Sequence, residues 1–388
     1  MIERIAILGS TGSIGKSLLN LISKNKKKYK IELLTANTKY KELISQTKKF
    51  NVKNVIITDP TSYRNFIKKN KNKKINVFQN FESLSKIIKK KIDYTMSSIV
   101  GLDGLEPTLK IIKYTKRIAI ANKESIICGW NLINKEINKN NVEFIPVDSE
   151  HFSIWYAIKN FNITNVEKIY ITASGGPLLN YPTNKLNKIK ITQVIKHPTW
   201  QMGRKISVDS ATMMNKVFEV IEANKIFNIA FKKLSILIHP SSYIHSIIKF
   251  ENGLIKLIAH DTTMEIPIFN TLNKKKNMNI SFTKGINLNA LNNLKLSMIN
   301  INKFPLINVL KHIPEKNSLF ETVIVSANDE LVNLFLKKKI KYDKISTTLL
   351  KFLKNKEFLK YKKIQPTQVS DIVKLSKYVR LKIRSLSV

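Results

Sequence analysis

Cysteine, glycine, proline and acidic residues are all scarce in this 388-residue chain, which has 1 Cys, 11 Gly, 11 Pro and 27 Asp plus Glu. The single thiol, Cys128, excludes an intramolecular disulfide framework and a cysteine-rich zinc centre, and points to a reducing cytoplasm. No HExxH pair occurs among the 6 histidines, which removes the usual zinc-hydrolase signature. No apolar run approaches the ~20 residues that a membrane-spanning helix needs. The start, Met1-Ile-Glu-Arg-Ile-Ala-Ile-Leu-Gly9, sets an acid and a base before a short apolar run. It reads as a first strand rather than a targeting segment. Core material is ample: 43% of residues are hydrophobic, which excludes disorder. At roughly 150 residues per domain, the length suggests two or three domains.

Lysine and arginine number 67, so the formal net charge is +40. A charge of that sign is compatible with nucleic acid, an acidic membrane surface or anionic small molecules. The runs Lys26-Lys27-Lys28, Lys89-Lys90-Lys91 and Lys274-Lys275-Lys276 fall in expected loops or helix ends. They carry no interleaved aromatics to stack on bases. The charge therefore reads as drift toward Lys, Asn and Ile, with neither a nucleic-acid nor a membrane partner expected. It still favours the approach of a phosphorylated substrate.

Residues 1–147 alternate β-type runs with amphipathic stretches. Ile5–Leu8, Ile31–Thr35, Val55–Thr58, Tyr94–Met96, Ile118–Ile120 and Phe144–Val147 read as strands, with helices such as Lys16–Ser23, Lys41–Phe50 and Leu105–Tyr114 between them. This alternation predicts an α/β fold with a Rossmann-type parallel sheet. Residues 148–285 read as a central α+β domain. It has strands at Lys168–Thr172, Leu234–His239, Tyr243–Phe250 and Leu254–Ala259, the last two flanking the hairpin signal Glu251-Asn-Gly253. A polar stretch runs to Arg204 and a helix is expected from about Ala211 to Phe227. Residues 286–310 are Asn-rich and read as a linker. Residues 311–388 read as a C-terminal helical domain, with helices at Leu319–Ala327, Glu330–Lys337, Ser346–Lys354 and Val369–Ser385.

Three motifs carry chemistry. Gly9-Ser-Thr-Gly12-Ser-Ile-Gly15 follows the first strand and opens a helix, where backbone N–H groups can meet a pyrophosphate. After the second strand, Thr35-Ala-Asn37-Thr38-Lys39 holds no acid for ribose hydroxyls and does hold a cation, which favours NADP over NAD. The second motif is Asp148-Ser149-Glu150-His151. Read as extended chain, it points Asp148 and Glu150 the same way, toward one ion or toward solvent. The third runs from Ser210 to Glu222. On a helix, Asn215, Glu219 and Glu222 form one stripe, while Ser210, Asn215 and Lys216 near the start suit an anion. All-carboxylate ligands favour Mg²⁺ or Mn²⁺ over zinc. His197-Pro-Thr-Trp200-Gln-Met202-Gly203 places two large apolar side chains on an expected loop, as in a lid over a ligand. Cys128 falls in an expected helix and reads as packing. A cysteine-dependent acyl-phosphate dehydrogenase would need it on a loop, and a basic nucleic-acid binder would tolerate loss of Glu219.

The chain resembles the 1-deoxy-D-xylulose 5-phosphate reductoisomerases. The resemblance rests on Gly9–Gly15, Ala121-Asn-Lys-Glu-Ser125, Pro146-Val-Asp-Ser-Glu-His151, Ser174-Gly-Gly-Pro177, His197 through Lys216, and His239-Pro-Ser-Ser-Tyr-Ile-His245. It implies conversion of 1-deoxy-D-xylulose 5-phosphate to 2-C-methyl-D-erythritol 4-phosphate with NADPH and a divalent metal, Mn²⁺ or Mg²⁺, with Co²⁺ also compatible. It implies metal ligands Asp148, Glu150 and Glu219, and phosphate contacts at Ser174, Ser210, Asn215 and Lys216. Lys123, Ser149 and Glu150 are implied near the substrate oxygens, with Lys123, Glu150 and His197 in catalytic positions. His197, Trp200 and Met202 are implied to lie on a closing flap over residues 174–203. Thr11, Gly12, Ser13, Ile14, Asn37, Asn122, Glu124 and Gly203 are implied NADPH contacts. A cytoplasmic homodimer is implied as well. Two departures stand out: Asn37 replaces a frequent Gly, and Ala173 precedes Ser174 where Gly is frequent.

Overall fold

The computed structural model describes residues 2–72, 74–159, 161–272 and 285–386. The Lys274-Lys275-Lys276 run lies outside them. One compact unit comprises Met1–Ile126, Asn131–Asp148 and Met264–Ile280. The other comprises Ile127–Trp130, Ser149–Thr263 and Ser281–Val388.

In the first unit, strands β1 (Glu3–Leu8), β2 (Tyr29–Ala36), β3 (Asn54–Ile57), β4 (Asn76–Phe78), β5 (Tyr94–Ser97), β6 (Arg117–Ile120) and β7 (Glu143–Pro146) form one sheet. Its order is β4-β3-β2-β1-β5-β6-β7 and every pairing is parallel. Helices α1 (Ser13–Ser23), α2 (Tyr40–Phe50), α3 (Pro60–Lys69), α4 (Leu105–Ile112) and α5 (Lys123–Lys139) accompany it. Strands covered on both faces need continuous apolar runs. Ile5, Ala6, Ile7 and Leu8 are all completely buried. The predicted parallel sheet is thus present. β4, Asn76-Val-Phe78, is only 3 residues long, and its pairing to β3 makes it a strand. The strand order reverses direction between β1 and β5, the switch point at which such sheets hold ligands.

The second unit contains β8 (Val166–Ala173), β9 (Leu234–Ile238), β10 (Ile244–Phe250), β11 (Ile255–Ala259) and β12 (Ser297–Met298), ordered β11-β10-β8-β9-β12. β8 and β9 are parallel and the other pairings are antiparallel, so the expected mixed α+β character holds. Gly253, at φ +86°, turns the β10–β11 hairpin at the predicted Asn-Gly. The helices are α6 (Ser149–Ile158), α7 (Arg204–Ala211), α8 (Met214–Phe227), α9 (Phe320–Leu336), α10 (Tyr342–Phe352) and α11 (Val369–Leu386). Val220 and Ala223 of α8 share one core with Ile169 and Ile171 of β8 and Ile236 of β9.

Several expectations need correction here. Asp148–His151 is not extended: α6 begins at Ser149, so Glu150 stands in its first turn. The helix expected from about Ala211 to Phe227 is present but starts at Met214, and a separate, unexpected helix precedes it. α7 ends at Ala211, and Met213, at φ +63°, breaks the chain before α8. The two helices expected between Leu319 and Lys337 are one, α9. Residues 286–310 include β12, on the edge of the sheet. Among the described residues no helix is long and apolar enough to cross a membrane.

Candidate active site

At the switch point of the first unit, Gly9 (φ +82°) follows β1. A Cβ there would stand 2.9 Å from the Ser98 carbonyl oxygen, so only glycine fits. The Gly9 N–H donates to Thr35 Oγ1 at 2.9 Å, and Gln46 Nε2 donates to the Ser10 carbonyl at 3.0 Å. These bonds set the loop so that α1 opens at Gly12 with no side chain capping it. The result is a cleft of about 680 Å³ lined by Thr11, Gly12, Asn37, Thr38 and Lys39. Uncapped helix N–H groups beside a cation suit a phosphorylated nucleotide. Ser13 and Ile14 form the first turn of α1. Asn122 caps α5, its Oδ1 accepting from Ser125 N–H, while its Nδ2 donates to the Gly101 carbonyl at 2.6 Å. Asn122 thereby holds the loop that supplies Ile99 and Val100 to the cleft wall. Glu124 is buried in the first turn of α5. Gly203 lies in the second unit, as the residue before α7.

Around α6 and α8 the carboxylates of Asp148, Glu150 and Glu219 converge, with ligand oxygens all within 4.8 Å of one another. The Lys216 Nζ lies 2.5 Å from both Glu150 Oε1 and Glu219 Oε2. Asn215 Nδ2 donates to Glu219 Oε1 at 2.5 Å, and Ser149 Oγ donates to the Glu150 carboxylate. Lys123 Nζ pairs with Asp148 Oδ2 at 3.0 Å. Burial alone would lower the Lys216 ammonium, but the Glu150 and Glu219 charges outweigh it and hold the group above its ordinary range. Asn215 and Lys216, expected beside a phosphate, thus face carboxylates in this structure. His151 was given no role by sequence reasoning. It is fully buried, with Nε2 2.9 Å from the Glu219 carbonyl and Nδ1 3.4 Å from Glu222 Oε2. Only its i+3 step beyond Asp148 hinted at this. Asp148, His151 and Glu222 form a second group of potential ligands within the same 4.8 Å limit.

The third cluster joins β8 to α7. His197 Nε2 lies 3.0 Å from Ser174 Oγ and 3.1 Å from Ser210 Oγ. His197 Nδ1 accepts from the N–H groups of Thr199 at 3.2 Å and Trp200 at 3.0 Å. Those two donors leave Nδ1 unprotonated, so the neutral ring carries its proton on Nε2, aimed at the serines. Burial, then the nearby Lys216 charge, push the imidazole down to about 4. Gly176 (φ +68°) lets the chain pass Ser210, whose carbonyl oxygen would be 2.8 Å from a Cβ. Two hydroxyls and an imidazole N–H gathered on one spot can hold a tetrahedral anion.

The sequence matches three family models. Residues 5–129 match that of 1-deoxy-D-xylulose 5-phosphate reductoisomerase. Residues 144–227 match its C-terminal domain and residues 261–382 a further DXP reductoisomerase C-terminal domain. A 1-deoxy-D-xylulose 5-phosphate reductoisomerase of Pelagibacter ubique is 56% identical over 388 residues, covering 100% of both chains. The chain belongs to the 1-deoxy-D-xylulose 5-phosphate reductoisomerase family. A member from Wolbachia pipientis (of Culex pipiens) is 36% identical, covering 96% of this chain and 94% of its own. The reductoisomerase of Zymomonas mobilis, solved in complex with NADPH, superimposes with a TM-score of 0.87 at 31% identity, covering 100% and 99% of the two chains. Another reductoisomerase, solved with NADPH, fosmidomycin and magnesium, gives 0.89 at 27% identity over 100% and 97%. The enzyme's reaction is the rearrangement and reduction of 1-deoxy-D-xylulose 5-phosphate to 2-C-methyl-D-erythritol 4-phosphate, in the non-mevalonate route to isoprenoid precursors.

The donor set fits a reductoisomerase's hard divalent cation. The three candidate ligands are carboxylates, and an ammonium is drawn between two of them. Trp200 and Met202, expected to be exposed, are half-buried. For Trp200 the reason is a pair of stacked histidines: its ring meets His245 of β10 edge-on at 6.1 Å, and His245 stacks on His260, just past β11, at 3.7 Å. The 174–203 segment also has buried anchors, Leu178, Ile189 and Val194. Lys303 Nζ donates to the carbonyls of Leu179 at 2.5 Å and Tyr181 at 2.7 Å. Cys128 is buried within α5, away from any loop, in agreement with a packing role.

Proposed function

We propose that the three clusters divide the work of the reductoisomerase. The carboxylate convergence of Asp148, Glu150 and Glu219 is the observation that carries the proposal. These residues would hold Mg²⁺ or Mn²⁺, with Co²⁺ also compatible. Bound there, the ion polarises the carbonyl and adjacent hydroxyl oxygens of the substrate. Lys123 and Ser149, each bonded to one of those carboxylates, orient them and reach the substrate oxygens beside them. Ser174, His197 and Ser210 would hold the phosphate, with Asn215 and Lys216 as its further contacts. The neutral His197 donates from Nε2 and needs no charge of its own. Remote phosphate binding then contributes orientation at the reacting carbons.

NADPH would occupy the cleft of the first unit, with its pyrophosphate at Thr11, Gly12, Ser13 and Ile14 and its 2′-phosphate near Asn37. Asn122, Glu124 and Gly203 complete the contacts. Trp200 and Met202 of the 174–203 flap cover the substrate and exclude water from the aldehyde intermediate. Residues 1–147, 148–285 and 311–388 would serve as cofactor, catalytic and supporting domains, with 286–310 linking the last two. The enzyme works as a homodimer in the cytoplasm. NADPH oxidation followed at 1-deoxy-D-xylulose 5-phosphate saturation, with and without Mg²⁺ or Mn²⁺, tests the core of this reading. Metal-dependent turnover that vanishes in Glu219→Gln supports it, and metal-independent turnover rejects it.

A further inference from the structure

Ser210 sits between two residues that are gripped from behind by the C-terminal helices. On its N-terminal side, Asp209 is buried, and its Oδ1 accepts from Asn328 Nδ2 of α9 at 2.8 Å. The other oxygen, Oδ2, pairs with Lys205 at 3.1 Å, and Lys205 in turn pairs with Asp329 of α9 at 2.9 Å. On its C-terminal side, the Ala211 carbonyl accepts from the Tyr342 hydroxyl of α10 at 2.8 Å. Asn328 is fully buried and Tyr342 nearly so, with the Tyr342 ring edge-on to Phe335 at 5.9 Å. Neither side chain is among the hydrogen-bond partners of Ser210 or His197.

The two bonds tie to the C-terminal helices a turn that otherwise closes on itself, with Met213 N–H donating to the Ser210 carbonyl at 3.1 Å and Thr212 Oγ1 to the Asp209 carbonyl at 3.2 Å. Helix α7 ends at Ala211 and Met213 adopts the left-handed region before α8 starts. A helix end leaves its last carbonyls without intrahelical partners. The Tyr342 hydroxyl supplies one such partner, and Asn328 fixes the side chain one residue before Ser210. The Ser210 carbonyl faces Gly176, so a small shift of this turn would change both that approach and the 3.1 Å contact of the Ser210 hydroxyl with His197 Nε2.

We propose that Asn328 and Tyr342 are positioning residues for the anion-holding hydroxyl of Ser210, so that the C-terminal helices set phosphate affinity without touching phosphate. This rests on the reading of Ser210 as a phosphate contact. A loss of one neutral hydrogen bond of this kind amounts to about a fivefold change in an equilibrium constant.

The test is a double-mutant cycle on the full-length enzyme, assayed with 1-deoxy-D-xylulose 5-phosphate, NADPH and Mg²⁺. Tyr342→Phe keeps the ring contact and removes only the hydroxyl. It should raise KM for the phosphosugar about fivefold while leaving kcat and KM for NADPH unchanged. Ser210→Ala should raise the same KM, and adding Tyr342→Phe to it should raise KM no further. Asn328→Ala serves as an independent second variant with the same expected pattern. If Ser210→Ala leaves KM unchanged, the phosphate reading itself falls and the proposal with it. If Ser210→Ala raises KM but the Tyr342→Phe and Asn328→Ala effects are absent or fully additive to it, the phosphate reading stands and the positioning role is overturned. A fall in kcat together with a rise in KM for NADPH would mark a general loss of structure and overturns it too.

Discussion

The Nζ of Lys216 lies 2.5 Å from Oε2 of Glu219, one helical turn away on α8, and the same ammonium reaches Glu150. A lysine thus stands where a divalent cation would be held. A divalent cation held by Asp148, Glu150 and Glu219 would compete with this lysine for the same carboxylates. Lys216→Met should therefore tighten Mg²⁺ binding to the free enzyme by about tenfold or more, roughly 1.4 kcal/mol. It should weaken phosphosugar binding at the same time. Calorimetric Mg²⁺ titration measures the first effect, and unchanged or weaker affinity would refute the competition.

Glu219→Gln removes a charged ligand but keeps the acceptor for Asn215 Nδ2. Transition-state stabilisation should fall by several kcal/mol, with circular dichroism and melting behaviour retained. Mg²⁺ affinity should drop in parallel. A variant with normal turnover and normal metal binding would remove Glu219 from the ligand set.

His197 should titrate near 4, because burial and then Lys216 oppose its protonation. The folded value lies below the unfolded one of about 6.5. Its contribution to stability is therefore complete above that pH and erodes as pH falls toward 4. Proton NMR of the ring signals across pH 3.5–8 reads the midpoint directly. Lys216→Met should move it upward. A midpoint at or above 6.5 in the intact enzyme would contradict the neutral donor.

Trp200→Ala should lower kcat/KM strongly. Because the indole rests against His245, it should also lower stability modestly, by about 1 kcal/mol. Hydrogen exchange across residues 174–203, with and without fosmidomycin, gives the companion test of closure. Protection expected on binding should concentrate near Trp200 rather than at buried Val194. Equal protection in both states would make the segment a static wall.

NADPH should be preferred over NADH, since the end of β2 presents Asn37 and Lys39 to the cleft and no acid. Lys39→Glu should narrow or reverse that preference, read as Kd for each nucleotide by fluorescence. An unaltered ratio would place 2′-phosphate recognition elsewhere.

What the residues reveal on their own is what local chemistry dictates. The glycine loop, the apolar strands β1, β2 and β5, and the Asn-Gly hairpin each carry their signal within a few residues. The misread segments are those whose structure depends on distant partners. Helix α6, Ser149-Glu-His-Phe-Ser-Ile-Trp-Tyr-Ala-Ile158, is rich in aromatic and small polar residues and buried over most of its length, so no amphipathic stripe marks it. In helix α9 the polar pair Asn328-Asp329 lies between the two expected helices. Those residues are polar because they meet Asp209, Lys205 and Arg380. The stripe of Asn215, Glu219 and Glu222 on α8 is legible at i, i+4 and i+7, but the ammonium between Glu150 and Glu219 is not. Lys216 occupies the expected helix start, and only the tertiary structure turns it inward.

The burial of Cys128 in α5 leaves the native chain without an accessible thiol. One cysteine introduced at an exposed position, such as Gln201 beside Trp200, would then be the only site to take up a maleimide dye. Its emission would follow the loop during turnover, in an enzyme that needs no prior removal of native thiols.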